Sequence, residues 1–342
     1  MSQYAHLSTP DPEFLELVSK LPGSIPAPGP IDVASQRQAM RAIVVPRIME
    51  TLRPDLPAES SYDILDRNIV VDGGEILVRC IRPVPREHEG KEFPILVWFH
   101  GGGWISGELD IDDFALRILS VEFRISVVNV DYRLAPEHRF PTALDDCYAA
   151  LKWTVNNAAE IAGSPTKGFL VGGASSGAHC AAVIAHRTRG DPFFNSFPLT
   201  GHILQLPSTS PRACSSRCLM LCRFVADLLS MDQNKDAPFL SKANIEFFCE
   251  CLQVMPANSE FSPLLLSHEN LAPAYIQVTG LDPLRDEGLL YERLLRESGV
   301  KTKLDIYPGV PHAFHRSFPE LSASRKWEAD FRAGLSWLLS GP

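Results

Sequence analysis

The sequence lacks any long hydrophobic run. Its continuous apolar stretches, such as residues 94–99, are far shorter than the roughly 20 residues that a membrane-spanning helix needs. The first residues include Asp11 and Glu13, where a secretory signal would have a basic start followed by an apolar stretch. These absences predict a chain with neither a membrane span nor an export signal.

Positive charge is also scarce. The chain has 32 Lys and Arg against 41 Asp and Glu, a formal net charge of −9, and its basic residues form no run. Proteins that bind nucleic acid carry a basic patch that neutralises phosphates. The charge balance therefore argues against a nucleic-acid partner.

Cysteine is sparse as well, with eight in 342 residues, and no Asn-x-Ser/Thr acceptor occurs. This excludes a disulfide scaffold and predicts a reducing, cytoplasmic setting. Cys214, Cys218 and Cys222 recur every four residues and would share one face of a helix. Because no His or acidic residue repeats with them, we interpret them as packing residues and predict no metal and no cofactor.

The overall composition is that of a folded protein, with 45% hydrophobic and 21% charged residues. An Asp72-Gly73-Gly74 turn between two apolar, β-branched stretches predicts an antiparallel hairpin. From residue 94 onward, short apolar stretches alternate with helical patterns, and such stretches are typical of buried parallel strands. They are residues 95–99, 125–130, 169–171, 202–206, 275–278 and 304–306.

This alternation predicts an α/β fold with a mostly parallel central sheet, an antiparallel N-terminal hairpin and flanking helices. Residues 1–62 are rich in proline with short helical stretches, and residues 211–261 have helical spacing without a strand. We therefore predict an N-terminal helical part (1–62), a core in two parts (63–210 and 262–342) and an insertion between them (211–261).

The sequence Gly173-Ala174-Ser175-Ser176-Gly177 lies between a predicted strand and a helix rich in small residues. A serine on such a sharp turn presents its hydroxyl beyond the sheet edge, and flanking glycines let strand and helix pass closely. This position makes Ser175 the candidate nucleophile.

A His-Gly-Gly-Gly-Trp segment directly follows the predicted strand 95–99. Consecutive glycines leave backbone N–H groups free to point at a substrate oxygen, as in an oxyanion hole. Gly101, Gly102 and Gly103 are therefore candidate donors, together with the N–H of Ser176. Which two of the glycines donate stays open.

A serine nucleophile needs a base, and the base needs an orienting carboxylate. Asp282 and His312 each follow a predicted strand, and the order Ser175, Asp282, His312 occurs in a large class of hydrolases. Asp286 and His315 are the alternatives. We interpret Asp286 as a charge at a helix N-terminus, and a lone His-x-x-His pair is weak evidence for a metal.

A competing motif is Ser164-Pro165-Thr166-Lys167, which matches the Ser-x-x-Lys of penicillin-binding enzymes. It lies between a predicted helix and strand, and the companion motifs of those enzymes do not occur. We interpret it as a loop.

Together with Tyr-Arg-Leu-Ala-Pro-Glu at residues 132–137, these motifs resemble the hormone-sensitive-lipase-like branch of the α/β-hydrolases. That branch includes bacterial esterases, arylacetamide deacetylases and plant carboxylesterases. The resemblance covers residues 65–340 and implies an α/β-hydrolase fold with a helical cap built from residues 1–62 and 211–261. The cap and the second strand also resemble fungal esterases of secondary metabolism, such as versiconal hemiacetal acetate esterase.

Three residues depart from the family pattern. Ala174 stands where the family usually has Asp, Ser176 where it has Ala, and Ala178 where it has Gly. None of these changes removes a triad group or a backbone donor. They affect the expected substrate preference and rate more than the expected activity.

The sequence thus predicts a cofactor-free serine carboxylesterase that cleaves short-to-medium acyl esters, such as acetyl esters, of a small hydrophobic molecule through an acyl-enzyme. One alternative is a biosynthetic enzyme of the same fold that cleaves an amide, thioester or carbon–carbon bond. Another is a non-catalytic small-molecule receptor, against which the presence of His312 argues. The small-molecule ester is the expected partner, and a homodimer is allowed. The candidate substrate-binding residues are large apolar side chains beside the glycines or in the insertion: Trp104, Leu219, Met220, Phe224, Leu228, Phe247 and Phe248.

Overall fold

The computed structural model describes residues 3–20, 32–209, 224, 226–254 and 258–342. Within these ranges, eight strands form one sheet in the order β1-β2-β4-β3-β5-β6-β7-β8. β2 runs antiparallel to β1 and β4, and the other neighbouring pairs are parallel. The strands are β1 (Tyr62–Val71), β2 (Gly74–Pro83), β3 (Ile95–Phe99), β4 (Ser126–Asp131), β5 (Phe169–Ala174), β6 (Gly201–Gln205), β7 (Ala274–Leu281) and β8 (Thr302–Pro311). The predicted mostly parallel α/β sheet with an antiparallel N-terminal hairpin is confirmed.

Helices connect the strands and precede the first of them. A π-helical turn, Met40–Val44, joins the second helix to the third. The α-helices are α1 (Pro12–Ser19), α2 (Val33–Ala39), α3 (Val45–Leu52), α4 (Asp113–Phe123), α5 (Thr142–Asn156), α6 (Ser176–Gly190), α7 (Ser230–Gln233), α8 (Lys242–Leu252), α9 (Arg285–Glu297), α10 (Phe314–Ser317) and α11 (Ser322–Leu339).

The central strands are buried on both faces. Every residue of β3 is buried, as expected for a parallel strand covered by helices on both sides. Apolar residues of α5, α6 and α9 pack on one face of the sheet. Those of α4 and α11 pack on the other face. The carboxyl ends of the parallel strands meet at one edge, and the loops that follow β3, β5, β7 and β8 converge there.

The N-terminal hairpin turns within two residues. Val71 pairs with Gly74, so Asp72 and Gly73 alone form the loop, and Gly73 has a φ of 72°. Glycine adopts this left-handed conformation without steric cost, which suits a tight hairpin turn. Both strands have ten residues, and exposed or half-buried positions alternate with buried ones along them, as expected where one face of an antiparallel pair meets water.

The described residues between β6 and β7 form helices and loops without a strand. Ser241 begins α8 with a reciprocal capping box to Asn244. Cys214, Cys218 and Cys222 lie outside the described residues. The division of the chain into a two-part core and cap segments stays a prediction.

In the described ranges, no helix combines the length and apolar character that crossing a bilayer requires. The same ranges contain no group of three His, Cys, Asp or Glu side chains arranged to hold a metal ion.

Candidate active site

Ser175 occupies a strained turn between β5 and α6. Its φ of 55° and ψ of −117° are rare for a residue with a side chain, and its N–H donates to the carbonyl of Gln205 at 2.7 Å. The flanking glycines permit this turn. A Cβ atom on Gly177 would lie 1.9 Å from the carbonyl oxygen of Phe99, and one on Gly173 would lie 2.4 Å from the backbone of Gly177.

The three predicted triad side chains form one hydrogen-bonded chain. His312 Nδ1 lies 2.7 Å from Asp282 Oδ2, and His312 Nε2 lies 3.0 Å from Ser175 Oγ. A carboxylate only accepts, so Nδ1 carries the ring hydrogen and Nε2 of the neutral ring accepts from the serine hydroxyl. Asp282 is 1% exposed and His312 7%. The structure therefore brings together the three side chains that were predicted from the sequence in three different loops.

The carboxylate of Asp282 is held by its own loop as well. Its Oδ1 accepts from the N–H of Leu284 at 2.8 Å, and its Oδ2 accepts from Thr279 Oγ1 at 3.1 Å in addition to His312. These bonds orient the carboxylate toward the imidazole. Thr279 is a residue that sequence reasoning missed, although a hydroxyl at the end of the strand before the acid was a usable signal.

The glycine run lies directly beside the serine. A Cβ atom on Gly101 would lie 3.6 Å from Ser175 Cβ. Gly102 and Gly103 have φ values of 133° and 65°, which side-chain-bearing residues rarely adopt. Among the residues that the structure describes, no group accepts from the N–H groups of these three glycines or of Ser176. All four predicted oxyanion donors are therefore available to a substrate oxygen.

His100 is a buried side chain that contacts the start of the glycine run. It is fully buried and stacks on Tyr132 with the ring centroids 4.3 Å apart. Its Nδ1 donates to the carbonyl of Gly101 at 2.8 Å, and the Tyr132 hydroxyl donates to the carbonyl of His100 at 2.8 Å. Burial lowers the pKa of His100, so the ring stays neutral at physiological pH. We interpret His100 as a support for the loop.

His315, the alternative base, lies apart from the triad chain. Its ring stacks on Trp327 at 4.5 Å, and it bonds neither Ser175 nor Asp282. Burial, together with Arg316 and His312 nearby, lowers its pKa well below the ordinary value.

Asp286, the alternative acid, serves a different partner. Its Oδ2 accepts from the N–H groups of Leu229 and Ser230 at 2.9 and 2.8 Å, and its Oδ1 accepts from Arg285 Nε at 2.8 Å. Asp286 lies in the first turn of α9, as expected. Its carboxylate nevertheless binds the N-terminus of α7, which the sequence did not reveal.

The Ser-x-x-Lys segment forms a surface loop. Ser164 Oγ lies 3.0 Å from Thr166 Oγ1, and Lys167 donates to the carbonyl of Glu92 at 2.8 Å. Both bonds are exposed, and neither joins the Lys167 ammonium group to the Ser164 hydroxyl.

Phe248 is the predicted substrate-binding residue that lies against the glycine run. A Cβ atom on Gly103 would lie 2.5 Å from its ring. Phe247 lies beside it with the ring centroids 6.4 Å apart. The apolar surface next to the predicted oxyanion donors is thus formed by α8 of the inserted segment.

The other predicted substrate-binding residues have different surroundings. Trp104 is buried and packs edge-on against His179, with the ring centroids 5.1 Å apart, and against Phe261. Leu228 is buried in the main core, and Phe224 packs against that core while half-buried. Leu219 and Met220 lie outside the described residues.

Three features identify the α/β-hydrolases: a serine on a sharp turn between strand and helix, the chain order Ser, acid, His, and a glycine run after an earlier strand. A family model described as the alpha/beta hydrolase fold matches residues 96–316. The chain belongs to this family, and the predicted fold is confirmed.

Two curated relatives illustrate the similarity. Versiconal hemiacetal acetate esterase of Dothistroma septosporum is 30% identical over 296 residues, which cover 86% of each chain. Carboxylesterase NlhH of Mycobacterium tuberculosis is 33% identical over 324 residues, covering 89% of this chain and 88% of that protein. The prediction of the hormone-sensitive-lipase-like branch is confirmed, and the enzyme class is that of the carboxylic ester hydrolases.

Among solved structures, that of vibralactone cyclase superposes on 98% of this chain and 96% of its own with a TM-score of 0.92 and 38% identity. The name of that protein describes a ring-forming reaction. The same architecture therefore occurs in a protein whose name describes ring formation and not ester hydrolysis.

Proposed function

We propose that the protein is a serine carboxylesterase that works through an acyl-enzyme. The observation that supports this most directly is the hydrogen-bonded chain from Asp282 through His312 to Ser175, with 2.7 and 3.0 Å between the bonded atoms. A base within hydrogen-bond reach of the serine is what nucleophilic activation requires.

In the proposed reaction, Ser175 Oγ attacks the ester carbonyl carbon while His312 Nε2 takes the hydroxyl proton. The negative charge that develops on the carbonyl oxygen is bound by N–H groups of the glycine run and of Ser176, each contributing about 3 kcal/mol. His312 then gives its proton to the leaving alcohol, and the acyl group stays on Ser175. Water, deprotonated by His312, releases the acid. Asp282 keeps the imidazole in the required tautomer and stabilises the imidazolium.

We propose short-to-medium acyl esters of a small hydrophobic molecule as substrates. The rings of Phe248 and Phe247 beside the glycine run support an apolar site of limited size. The names of the two relatives, an acetate esterase and a carboxylesterase, agree with this class. We expect preference for acyl chains from acetyl to about hexanoyl. Efficient cleavage of emulsified triolein would contradict it.

The cap segments and the setting belong to the same proposal. Residues 1–62 and 211–261 would cover the site, and the protein would act in the cytoplasm on a small-molecule ester, as a monomer or a homodimer.

The decisive experiment is hydrolysis of p-nitrophenyl esters of increasing chain length by wild type and two serine variants. Ser175→Ala should lose activity and keep its fold, because it removes one hydroxyl at a turn. Ser164→Ala, from the Ser-x-x-Lys loop, should retain wild-type kcat. An organophosphorus probe should add one covalent mass, located on Ser175. Activity of more than a few per cent in folded Ser175→Ala would refute the nucleophile.

A second candidate function is intramolecular acyl transfer. The similarity to vibralactone cyclase, with 38% identity and a TM-score of 0.92, favours it. In this case a hydroxyl of the acyl group itself would attack the acyl-enzyme in place of water, and a lactone would leave. Mass spectrometry of the products from an ω-hydroxyacyl p-nitrophenyl ester distinguishes the two, because the lactone is lighter than the hydroxy acid by one water.

A further inference from the structure

The loop that carries Asp282 is bound by two buried side chains from the segment inserted between β6 and β7. We call residues 280–284 the acid loop. Ser230 Oγ donates to the carbonyl of Pro283 at 2.7 Å, and Asn234 Nδ2 donates to the carbonyls of Asp282 and Gly280 at 2.9 and 3.2 Å. Ser230 is 1% exposed and Asn234 3%. Three carbonyls of the acid loop therefore accept from α7 and the residue that follows it.

The orientation of the Asn234 amide follows from its partners. Both groups that it meets are carbonyl oxygens, which only accept, so the atom that faces them is the NH₂ nitrogen. A side chain without this donor removes one hydrogen bond from each of the two carbonyls, which then keep those from Arg285, its Nη1 to Gly280 and its N–H to Asp282.

A buried ion pair fixes α7 in this position. Asp286 accepts from the first N–H groups of α7 and bonds Arg285, and both side chains are fully buried. Arg285 Nη2 also donates to Gln233 Oε1 at 2.7 Å. Arg285 and Asp286 are the first two residues of α9, which directly follows the acid loop, so their bonds to Gln233 and to the N–H of Ser230 connect α7 to the end of that loop.

Whether the contact between α7 and the acid loop affects catalysis depends on which other groups hold Asp282 in place. Thr279 and Leu284 orient the carboxylate of Asp282, but both belong to β7 and the acid loop and move with them. The contact from α7 is an anchor outside that loop. Displacement of a catalytic group by about 1 Å is enough to cost on the order of 100-fold in rate.

We propose that Asn234 and Ser230 are positioning residues for Asp282, so that the inserted segment completes the triad as well as covering the substrate. This inference rests on the proposed function, in which Asp282 orients His312. The inserted segment would then affect kcat. A lid that only encloses the substrate would instead affect KM.

The test compares Asn234→Leu with Asn129→Leu. Both amides are buried and donate to a backbone carbonyl, Asn129 to that of Leu109 at 2.9 Å, but Asn129 is on β4, which β3, β5 and β6 separate from β7 and the acid loop. We expect Asn234→Leu to lower kcat for p-nitrophenyl acetate 10- to 100-fold with KM within threefold. Asn129→Leu should lower the melting temperature and leave kcat within twofold. Ser230→Ala, a smaller change, should lower kcat three- to tenfold and serves if Asn234→Leu does not fold.

A double-mutant cycle then asks whether Asn234 acts through the acid. In an Asp282→Asn background, Asn234→Leu should change kcat by less than twofold, because the group that it positions is already lost. Equal losses in both backgrounds, or a change in KM alone, would overturn the positioning role. Wild-type turnover by Asp282→Asn would instead refute the triad, and this proposal with it.

Discussion

At the scale of single residues, the candidate acid and base each have a neighbour of the same type one helical turn or less away. Asp282 and Asp286 differ in what they accept from: the first meets His312, and the second meets the N-terminus of α7. His312 and His315 differ likewise, since only His312 reaches Ser175. Residue type alone therefore does not decide between the two aspartates or between the two histidines. The geometry of their loops distinguishes the members of each pair.

For the base, we expect His312→Ala to lower kcat by at least about 1000-fold, because within the described part of the chain His312 is the base that hydrogen-bonds Ser175 Oγ. His315→Ala should cost less than about tenfold, since it removes stacking on Trp327 and no bond to the triad. Steady-state kinetics with p-nitrophenyl acetate measures both. The reverse ranking in two folded variants would require a different base.

For the acid, Asp282→Asn should lower kcat on the order of 10⁴-fold, because the amide favours the wrong imidazole tautomer. Asp286→Asn should act mainly on the free energy of unfolding, by roughly 3–5 kcal/mol, since Arg285 loses its buried partner. Its kcat should fall at least tenfold less than that of Asp282→Asn. Urea unfolding and kinetics on the same preparations give both quantities, and a reversed order of the kcat losses would contradict the assignment.

At the scale of elements, the close approach of α6 to β3 depends on a glycine. A Cβ atom on Gly177 would overlap the carbonyl of Phe99, whereas one on Gly190 at the other end of α6 would meet no atom within 4 Å. We expect Gly177→Ala to lower the free energy of unfolding by about 1–3 kcal/mol and to reduce activity, because helix or strand must shift. Gly190→Ala should be neutral or stabilising by up to about 1 kcal/mol. Similar denaturation midpoints for both would show that α6 tolerates the added methyl group.

The elements differ in how far the sequence predicts them. β3 has its predicted ends, Ile95 and Phe99, because a turn-forming glycine run follows a continuously apolar stretch. β8 runs from Thr302 to Pro311, well beyond the three residues predicted, because half-buried Thr302 and Lys303 extend its pairing with β7 at one end and residues 307–311, mostly buried, continue the strand at the other. The three residues of the hydrogen-bonded Ser-His-Asp chain were predictable, since each follows a strand in a recognisable motif. Asn234 was not, because its bond to Asp282 joins residues 48 positions apart without a local pattern.

At the scale of the whole molecule, the face of the sheet covered by α6 and α9 contains histidines that are neutral and buried. Burial lowers the pKa of His202 to about 4, and burial with His268 and His202 nearby lowers that of His186 to about 3. His186 Nε2 lies 3.1 Å from the hydroxyl of Tyr291 on α9. Folding therefore keeps both imidazoles uncharged at a pH where the unfolded chain protonates them.

The sign of the resulting pH dependence follows from linkage. Between pH 6.5 and about 4 the unfolded state binds more protons at His202, so its contribution to stability is intact above about pH 6.5 and is lost progressively as the pH falls toward 4. At pH 5 the loss is roughly 2 kcal/mol.

Burial raises the pKa of Asp131, which acts in the opposite direction, so the comparison must be between variants. We expect His202→Phe to show a smaller fall in the free energy of unfolding between pH 7 and 5 than wild type. His88→Asn, at an exposed position, should follow the wild-type curve. If denaturant unfolding gave parallel curves for all three proteins, His202 would be charged in the folded state or absent from the acid response.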